Sequence, residues 1–401
     1  MDMPMNTERL RVLFLNVGHF VDHFCMLIFA TAVITMAVKF DMSYGSLLAV
    51  ATPGFVLFGA AALGAGWLGD RWSRNNMMVV FFCGIGGAAI LVGMAESVTQ
   101  IGLGLALMGL FAAIYHPVGI SMLVQGAPKL GLRLGVNGIF GNLGVAAAPL
   151  VAGGLIAAFD WRMAFILPGL VAIGLGVAFW WFARQGYSVA PTGPRMRKEP
   201  VDFTFGWQRV LAVVAVMTLV GGLVFNSTTV SLPKLFDERL TNITGDDIIG
   251  FTAMAAAVYA CASFAQLASG LAIDRFAVKP VLLTTVTLQV IMMPIVATST
   301  GWPLFAASFV MMLAVFGQIP ITDALITRYT PDAMRGRVFS IKYILNLGVG
   351  SLAVPTIWYM HERGGGFESL FMVLMACAAV VLAAALILPY RRHGAEAVAA
   401  E

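Results

Sequence analysis

Long apolar blocks alternate with short polar loops along the whole chain. Each block is near the ~20 residues that a helix needs to cross the hydrocarbon core of a bilayer. The pattern predicts twelve spans. Six lie at 10–38, 44–69, 77–95, 101–124, 134–158 and 164–183. Six more lie at 210–236, 248–273, 281–298, 303–327, 338–360 and 370–390. The uncharged stretch from Pro280 to Thr322 is too long for one helix, and Ser299-Thr300-Gly301-Trp302-Pro303 supplies its turn. Residues 1–9 form a short polar leader.

Between the sixth and seventh spans, 185–208 holds Pro191, Pro194 and Pro200 and the basic residues Arg195, Arg197 and Lys198. This reads as a linker between halves. The predicted division is an N-terminal six-helix bundle at 1–184, a cytoplasmic linker at 185–208, a C-terminal six-helix bundle at 209–392 and a disordered tail at 393–401. Ala30-Thr31-Ala32 resembles a signal-peptide cleavage site. His19, Asp22 and His23 suit a signal peptide badly, however, and the first span has a counterpart in the second half, so it is read as retained.

A charged turn, Gly66-Trp67-Leu68-Gly69-Asp70-Arg71-Trp72-Ser73-Arg74, separates the second and third spans. It returns as Gly270-Leu271-Ala272-Ile273-Asp274-Arg275-Phe276-Ala277-Val278-Lys279, with the two aspartates 204 residues apart. Asn142-Leu143-Gly144 and Asn346-Leu347-Gly348 share that offset, as do Gly18 with Gly222 and Asp22 with Asn226. Pro117 and Pro320 differ by 203. The common offset implies a duplication of six spans, with parallel repeats related by an axis along the membrane normal. The predicted class is an all-α membrane protein: twelve transmembrane helices in two six-helix pseudo-symmetric bundles.

Composition agrees. The chain has 401 residues, is 60% hydrophobic and 11% charged, and has a mean hydropathy of +0.89. A soluble domain carries about 25% charged residues. The net charge of +4 is small and gives no reason to expect a nucleic-acid partner. The basic residues sit mostly in loops. Arg9, Arg11, Arg71, Arg74, Lys129, Arg133, Arg184, Arg195, Arg197, Lys198, Arg209, Arg275, Lys279, Arg328, Arg335, Arg337, Arg391 and Arg392 fall on the side of the termini. Lys39, Arg162, Lys234, Arg239 and Arg363 fall on the other, and Lys342 lies within a span. This bias predicts that both termini are cytoplasmic. Cys25, Cys83, Cys261 and Cys377 are scattered through apolar runs, so neither a disulfide framework nor a CxxC metal site is suggested.

The sharpest chemistry is His19-Phe20-Val21-Asp22-His23 in the first span. Positions 19, 22 and 23 share one helical face. A charged aspartate at the bilayer centre costs about 2.5–3.5 kcal/mol even on the lenient insertion scale. Asp22 is therefore expected to face protein or a water-filled cavity. Histidines with a carboxylate partner titrate in the physiological range, which makes this face a candidate proton carrier. The bland alternative is a satisfied polar network between helices. His-x-x-Asp-His also echoes the zinc-protease pattern His-x-x-Glu-His, but the acid is one methylene short and no acidic third ligand follows. Binding of a transported divalent metal by His19, Asp22, His23 and His116 is the other metal reading. His116 precedes Pro117 in the fourth span, where the proline ring removes a backbone hydrogen bond near Ala113 and kinks the helix. In the second half, Asp323 and Lys342 could pair, or Lys342 could snorkel to the interface. Trp302 and Trp358 lie near span ends, as interface-belt residues do.

The charged turn resembles the loop between the second and third helices of the major facilitator superfamily of transporters, Gly-x-Leu-Gly/Ala-Asp-Arg-x-Gly-Arg-Arg. Gly66, Leu68, Gly69, Asp70, Arg71 and Arg74 match it; Ser73 and Asn75 depart from it. The resemblance implies a gating role for Gly66, Asp70, Arg71 and Arg74, and for Asp274 and Arg275 in the repeat, in latching neighbouring helices in one state. In the fifth span, Gly144-x-x-x-Ala148-Pro149-x-x-Ala152-Gly153-Gly154 resembles the family's antiporter motif, with two glycines changed to alanine. Close packing through small residues and a proline kink is its plainer reading. The resemblance also implies that the first and fourth helices line a central cavity, which would bring His116 near Asp22. Tyr115-His116-Pro117 is similar to the Phe-His-Pro of the fosmidomycin-resistance branch, whose members are implied to be proton-coupled exporters.

The expected function is proton-coupled secondary transport of a small organic molecule by alternating access, as an antiporter and exporter. Import of a small organic anion and divalent-metal transport are the alternatives. The expected proton-coupling and cavity residues are His19, Asp22, His23, Tyr115, His116 and Asn226. The antiporter-like kink comprises Gly144, Pro149, Gly153 and Gly154. No enzyme activity and no cofactor are implied. The expected partners are the small-molecule substrate, protons and the lipid bilayer of the inner membrane, around a monomer.

Overall fold

The computed structural model describes residues 5–125, 130–187, 206–245 and 247–389. Lys129, the proline-rich part of the linker with Arg195, Arg197 and Lys198, and the tail with Arg391 and Arg392 lie outside the described residues. Twelve helices are long and apolar enough to cross a membrane: α1 (Thr7–Lys39), α2 (Tyr44–Arg71), α3 (Arg74–Gly93), α4 (Val98–Val124), α5 (Leu132–Ala158) and α6 (Met163–Gln185), then α7 (Trp207–Arg239), α8 (Ile248–Arg275), α9 (Val278–Thr298), α10 (Gly301–Tyr329), α11 (Ile341–Arg363) and α12 (Gly366–Leu386). Each falls on a predicted span, and no strand occurs among the described residues.

Local chemistry sets the helix starts. Ser43, Ser73 and Ser97 each accept a hydrogen bond from the backbone N–H three residues on, at 3.3 Å, which occupies a donor that the first turn leaves free. Asp160 Oδ1 does the same for Arg162 and Met163 at the start of α6. The turn predicted at 299–303 is present: Gly301 begins α10 with φ +60°, in the left-handed region.

Basic side chains close several helix ends, where the last carbonyls have no partner in their own helix. Arg162 Nη1 donates to Gly93 O at the end of α3 and to Ala95 O just beyond it, both at 2.8 Å. Arg239 Nη1 donates to Ala297 O of α9 at 2.6 Å. Lys279 Nζ donates to Leu386 O at the end of α12 at 2.7 Å and to Leu388 O just past it at 2.8 Å. Arg328 Nη2 donates to Ile273 O of α8 at 2.9 Å.

The described residues group into two compact units. The first holds α1–α6 together with Thr229–Glu238 of α7 and Thr244–Ala260, which includes the start of α8. The second holds the rest of α7, α8 from Cys261, and α9–α12. The duplication is visible in the elements: α2 ends at Arg71 and α8 at Arg275, again 204 residues apart. Close helix contact recurs too. A Cβ on Gly144 of α5 would lie 2.3 Å from Phe20 O of α1, and one on Gly222 of α7 would lie 2.4 Å from Asn346 Oδ1 of α11. Small residues let helix backbones approach where hydrocarbon supplies no hydrophobic drive.

The Arg162 closure is testable. Arg162→Met strips two carbonyls of their donor and should cost about 1–3 kcal/mol, read as a lower melting temperature of the purified protein in detergent. An unchanged melting curve would show that the end of α3 holds without it.

Candidate functional site

The first unit collects the titratable residues of α1 and α4 at one place. His19, Asp22 and His116 are all buried, and Asp22 is fully so. His116 Nε2 lies 3.4 Å from Asp22 Oδ2. His23 Nε2 and His19 Nε2 are 3.2 Å apart. The His116 ring meets His19 edge-on at 5.4 Å between centroids and His23 at 5.6 Å. The kink expected at Pro117 is a π-helical turn over Tyr115–Gly119, inserted between α-helical segments that end at Ala112 and resume at Ile120. Proline cannot donate to the carbonyl one turn back, and a π turn absorbs that loss without breaking the helix.

Helix α5 supplies the support. Asn137 O is 2.8 Å from His19 Nδ1. A carbonyl only accepts, so Nδ1 carries a proton and donates it there. Asn137 Nδ2 donates to Tyr115 Oη at 2.8 Å and to Asn16 Oδ1 at 3.0 Å. Tyr115 Oη donates in turn to Leu15 O at 2.8 Å. The Tyr115 ring stacks on His19 at 4.9 Å and 15°. Gly141 makes room for the imidazole: a Cβ there would stand 2.6–2.8 Å from three of its ring atoms. Asn137, Gly141 and Asn16 were not among the expected site residues. Their only sequence signal is an asparagine in an apolar span with a glycine one turn further along the same helix face.

These contacts constrain the protons. With Nδ1–H given to Asn137, neutral His19 has its lone pair on Nε2, so the His23 Nε2–H is the donor across the 3.2 Å gap. A doubly protonated His19 reverses that polarity. Neither oxygen of Asp22 accepts a hydrogen bond among the described residues. The Asp22–His116 contact is therefore an ion pair or a neutral acid beside a neutral ring, two distributions of one shared proton. One ring nitrogen from each of His19, His23 and His116 also lies within 4.8 Å of the other two, close enough for the three to hold a cation.

The other expected residues sort differently. Asp70 is solvent-facing and accepts from Arg74 Nη2 at 2.8 Å, inside its own loop. The glycines before it lie against the π turn: a Cβ on Gly66 would be 3.1 Å from Pro117 and one on Gly69 would be 2.9 Å from Val118. Arg71 lies over the Trp67 ring at 4.7 Å. Asp274 and Arg275 are exposed. Within α5, Pro149 lies inside the helix, and Gly153 lies against α8, where a Cβ would stand 2.3 Å from Thr252 Oγ1. A Cβ on Gly154 would meet open space. Asn226 belongs to the second unit, where its Nδ2 donates to Gly222 O of its own helix at 2.9 Å.

The profile of the Major Facilitator Superfamily matches residues 15–245 and 240–401, one repeat after the other. The chain belongs to this superfamily. Like its relatives, it is a membrane transporter for small molecules and not an enzyme. It is similar to the multidrug resistance protein MdtG of Enterobacter lignolyticus, 25% identical over 342 residues that cover 84% of this chain and 80% of the relative. The MdtG of Salmonella paratyphi A is 24% identical over 312 residues, covering 77% and 76%. Among solved structures, a bacterial homolog of the human lysosomal transporter Spinster, inward-facing and occupied, has a TM-score of 0.76 at 14% identity and covers 96% of each chain. That likeness is one of fold.

The Asn137 network makes a prediction of its own. Asn137→Ala and Tyr115→Phe should each lower stability by about 1–3 kcal/mol. The double variant should lose less than their sum, because both remove the same buried hydrogen bond. Additive losses in melting experiments would show that the two side chains act separately.

Proposed function

We propose that this superfamily member is a proton-coupled antiporter that exports a small organic molecule by alternating access. The observation that carries the reading is the contact of a fully buried Asp22 with His116, 3.4 Å apart between two helices. Ionisable residues inside spanning helices mark ion and substrate paths by default. His19 and His23, one ring away, extend the pair into a short relay. Export is supported by the multidrug resistance relatives and by the Gly144, Pro149, Gly153 and Gly154 pattern of α5. The protein works as a monomer in the inner membrane with both termini cytoplasmic, as the loop charges favour.

In this mechanism one proton bound at Asp22–His116 stabilises one of two global states, by an amount set by the difference in proton affinity between them. Cargo and proton then occupy the carrier in turn. The loop carrying Asp70 and Arg74 sits beside the π turn through Gly66 and Gly69, so the gating loop and the helix that holds His116 move as neighbours. A divalent metal as cargo is the competing reading, carried by the mutual approach of the three histidines.

The deciding experiment uses inside-out vesicles energised with a pH gradient and an acridine dye that reports it. Compounds from a panel of anionic, neutral and cationic antibiotics are added one at a time. Addition of transported compounds should discharge the gradient through the wild-type protein. Asp22→Asn should lower proton-driven accumulation at least about tenfold, 1.4 kcal/mol, while cargo exchange without a gradient persists. Wild-type accumulation by a well-folded Asp22→Asn protein would refute the coupling role. Discharge by zinc or manganese alone would favour the metal reading.

His116 has a separate signature. His116→Gln should move the pH profile of transport, and adding it to Asp22→Asn should change little further, since one proton is shared. A His116→Gln protein that expresses normally and keeps the wild-type profile would leave His116 as packing at a π turn.

A further inference from the structure

The second unit has a charge pair of its own, a buried lysine with a half-buried aspartate. Lys342 of α11 forms an ion pair and hydrogen bond with Asp323 of α10. The snorkelling alternative for Lys342 is therefore not what the structure adopts. The lysine is 8% exposed and the aspartate 35%, so the carboxylate occupies the open side of the ammonium.

The surroundings are polar. Lys342, Asn346 and Gly350 recur at four-residue spacing and share one face of α11. Two of the three pack on α7: Asn346 against Gly222, and Gly350 against Asn226, where an added Cβ would come within 2.6 Å of Asn226 Nδ2. On α10, the buried Gln318 and Thr322 precede Asp323. Gln289 Nε2 of α9 donates to Gln318 Oε1 at 2.8 Å, and Gln318 Nε2 would be 3.3 Å from a Cβ on Gly221 of α7. The Lys342 ammonium also lies 5.2 Å from the centroid of the Tyr343 ring, and with one partly open carboxylate on it, it is a cation whose counter-ion can be exchanged.

Energetics point the same way. A buried ion pair contributes little net stability, and well-packed apolar residues of similar volume often do as well or better. A spanning lysine and aspartate thus have little reason to be there as fasteners alone. An incoming anion can take the carboxylate's place on Lys342 with no change in the charge of the lysine site. A cationic cargo could pair only with Asp323, which would strip the buried lysine of its counter-ion, and a neutral one would recover too little to separate the pair.

We propose that Lys342 is an anion-recognition residue: the cargo is a small organic anion whose carboxylate or phosphate group replaces Asp323 on the Lys342 ammonium. This rests on the transporter reading above and names its substrate class. It does not depend on how transport is driven.

The test uses the purified full-length chain in detergent, with melting temperature read against benzoate, phenyl phosphate, benzamide and benzylamine. Both anions should raise the melting temperature saturably, and the neutral and cationic analogues should not. Lys342→Gln should abolish the anion effect, and Lys342→Arg should keep it. Asp323→Asn removes the internal competitor and should lower the half-saturating anion concentration about tenfold. Equal stabilisation by benzamide, no stabilisation by either anion, or an unchanged half-saturating concentration in Asp323→Asn would each overturn the proposal. If Lys342→Gln does not fold, the Asp323→Asn comparison decides alone. The same titration on Asp22→Asn separates the two readings: anion binding retained there, with proton-driven transport unaltered, would refute proton coupling at Asp22 and leave Lys342 as the anion site.

Discussion

An aspartate within a spanning helix is tolerated where protein, not lipid, surrounds it. In the first unit that requirement falls on α4 and α5. Helix α4 answers with His116, placed against Asp22 by a π turn. Helix α5 answers with space and direction: Gly141 and Gly144 let it close on α1, and Asn137 O fixes which nitrogen of His19 holds the proton. Tyr115, stacked on His19 and hydrogen-bonded to Leu15 O and Asn137, fills the remaining side. The packing of three helices can be traced to one carboxylate and the rings beside it.

The duplicated half keeps the backbone logic and changes the chemistry. Gly222 and Asn346 retain the close approach of α7 and α11. Asn226 stands where the first half has Asp22, and it bonds to its own helix. The charge of the second unit sits instead on α10 and α11, near one end of each span. Two halves with one architecture thus offer two chemically different surroundings, one rich in titratable rings and one holding a lysine–aspartate ion pair.

The helices were legible because bilayer thickness imposes a length on every apolar block, and the repeat was legible because several matches share one offset. The closeness of His19, Asp22 and His23 followed from helical spacing alone. The nearness of His116 did not: it came only as an implication of the family resemblance, since His116 lies 94 positions after Asp22 and nothing in the sequence between says how α1 and α4 pack. Asn137 and Gly141 were overlooked for a related reason. A glycine in an apolar span signals close packing without naming what it packs against, and the imidazole it accommodates lies 122 positions away. Asp70 was legible as part of a charged turn, whereas its pairing with Arg74, four residues on across the turn, could not be told by sequence from a contact with another helix.

The π turn at Tyr115–Gly119 also sets the phase of α4. A turn that holds one additional residue displaces everything after it by about 100° around the axis relative to a continuous α-helix. The stripe presented by 98–112 and the stripe presented by 120–124 are consequently out of step. Gly66, Gly69 and the His19–Asp22 face each read a different part of this offset helix. The length of the segment between Ala112 and Ile120 is therefore itself a specification: removing a single residue ahead of His116 would rotate its ring by about 100° away from its carboxylate, with every side chain of the site still encoded.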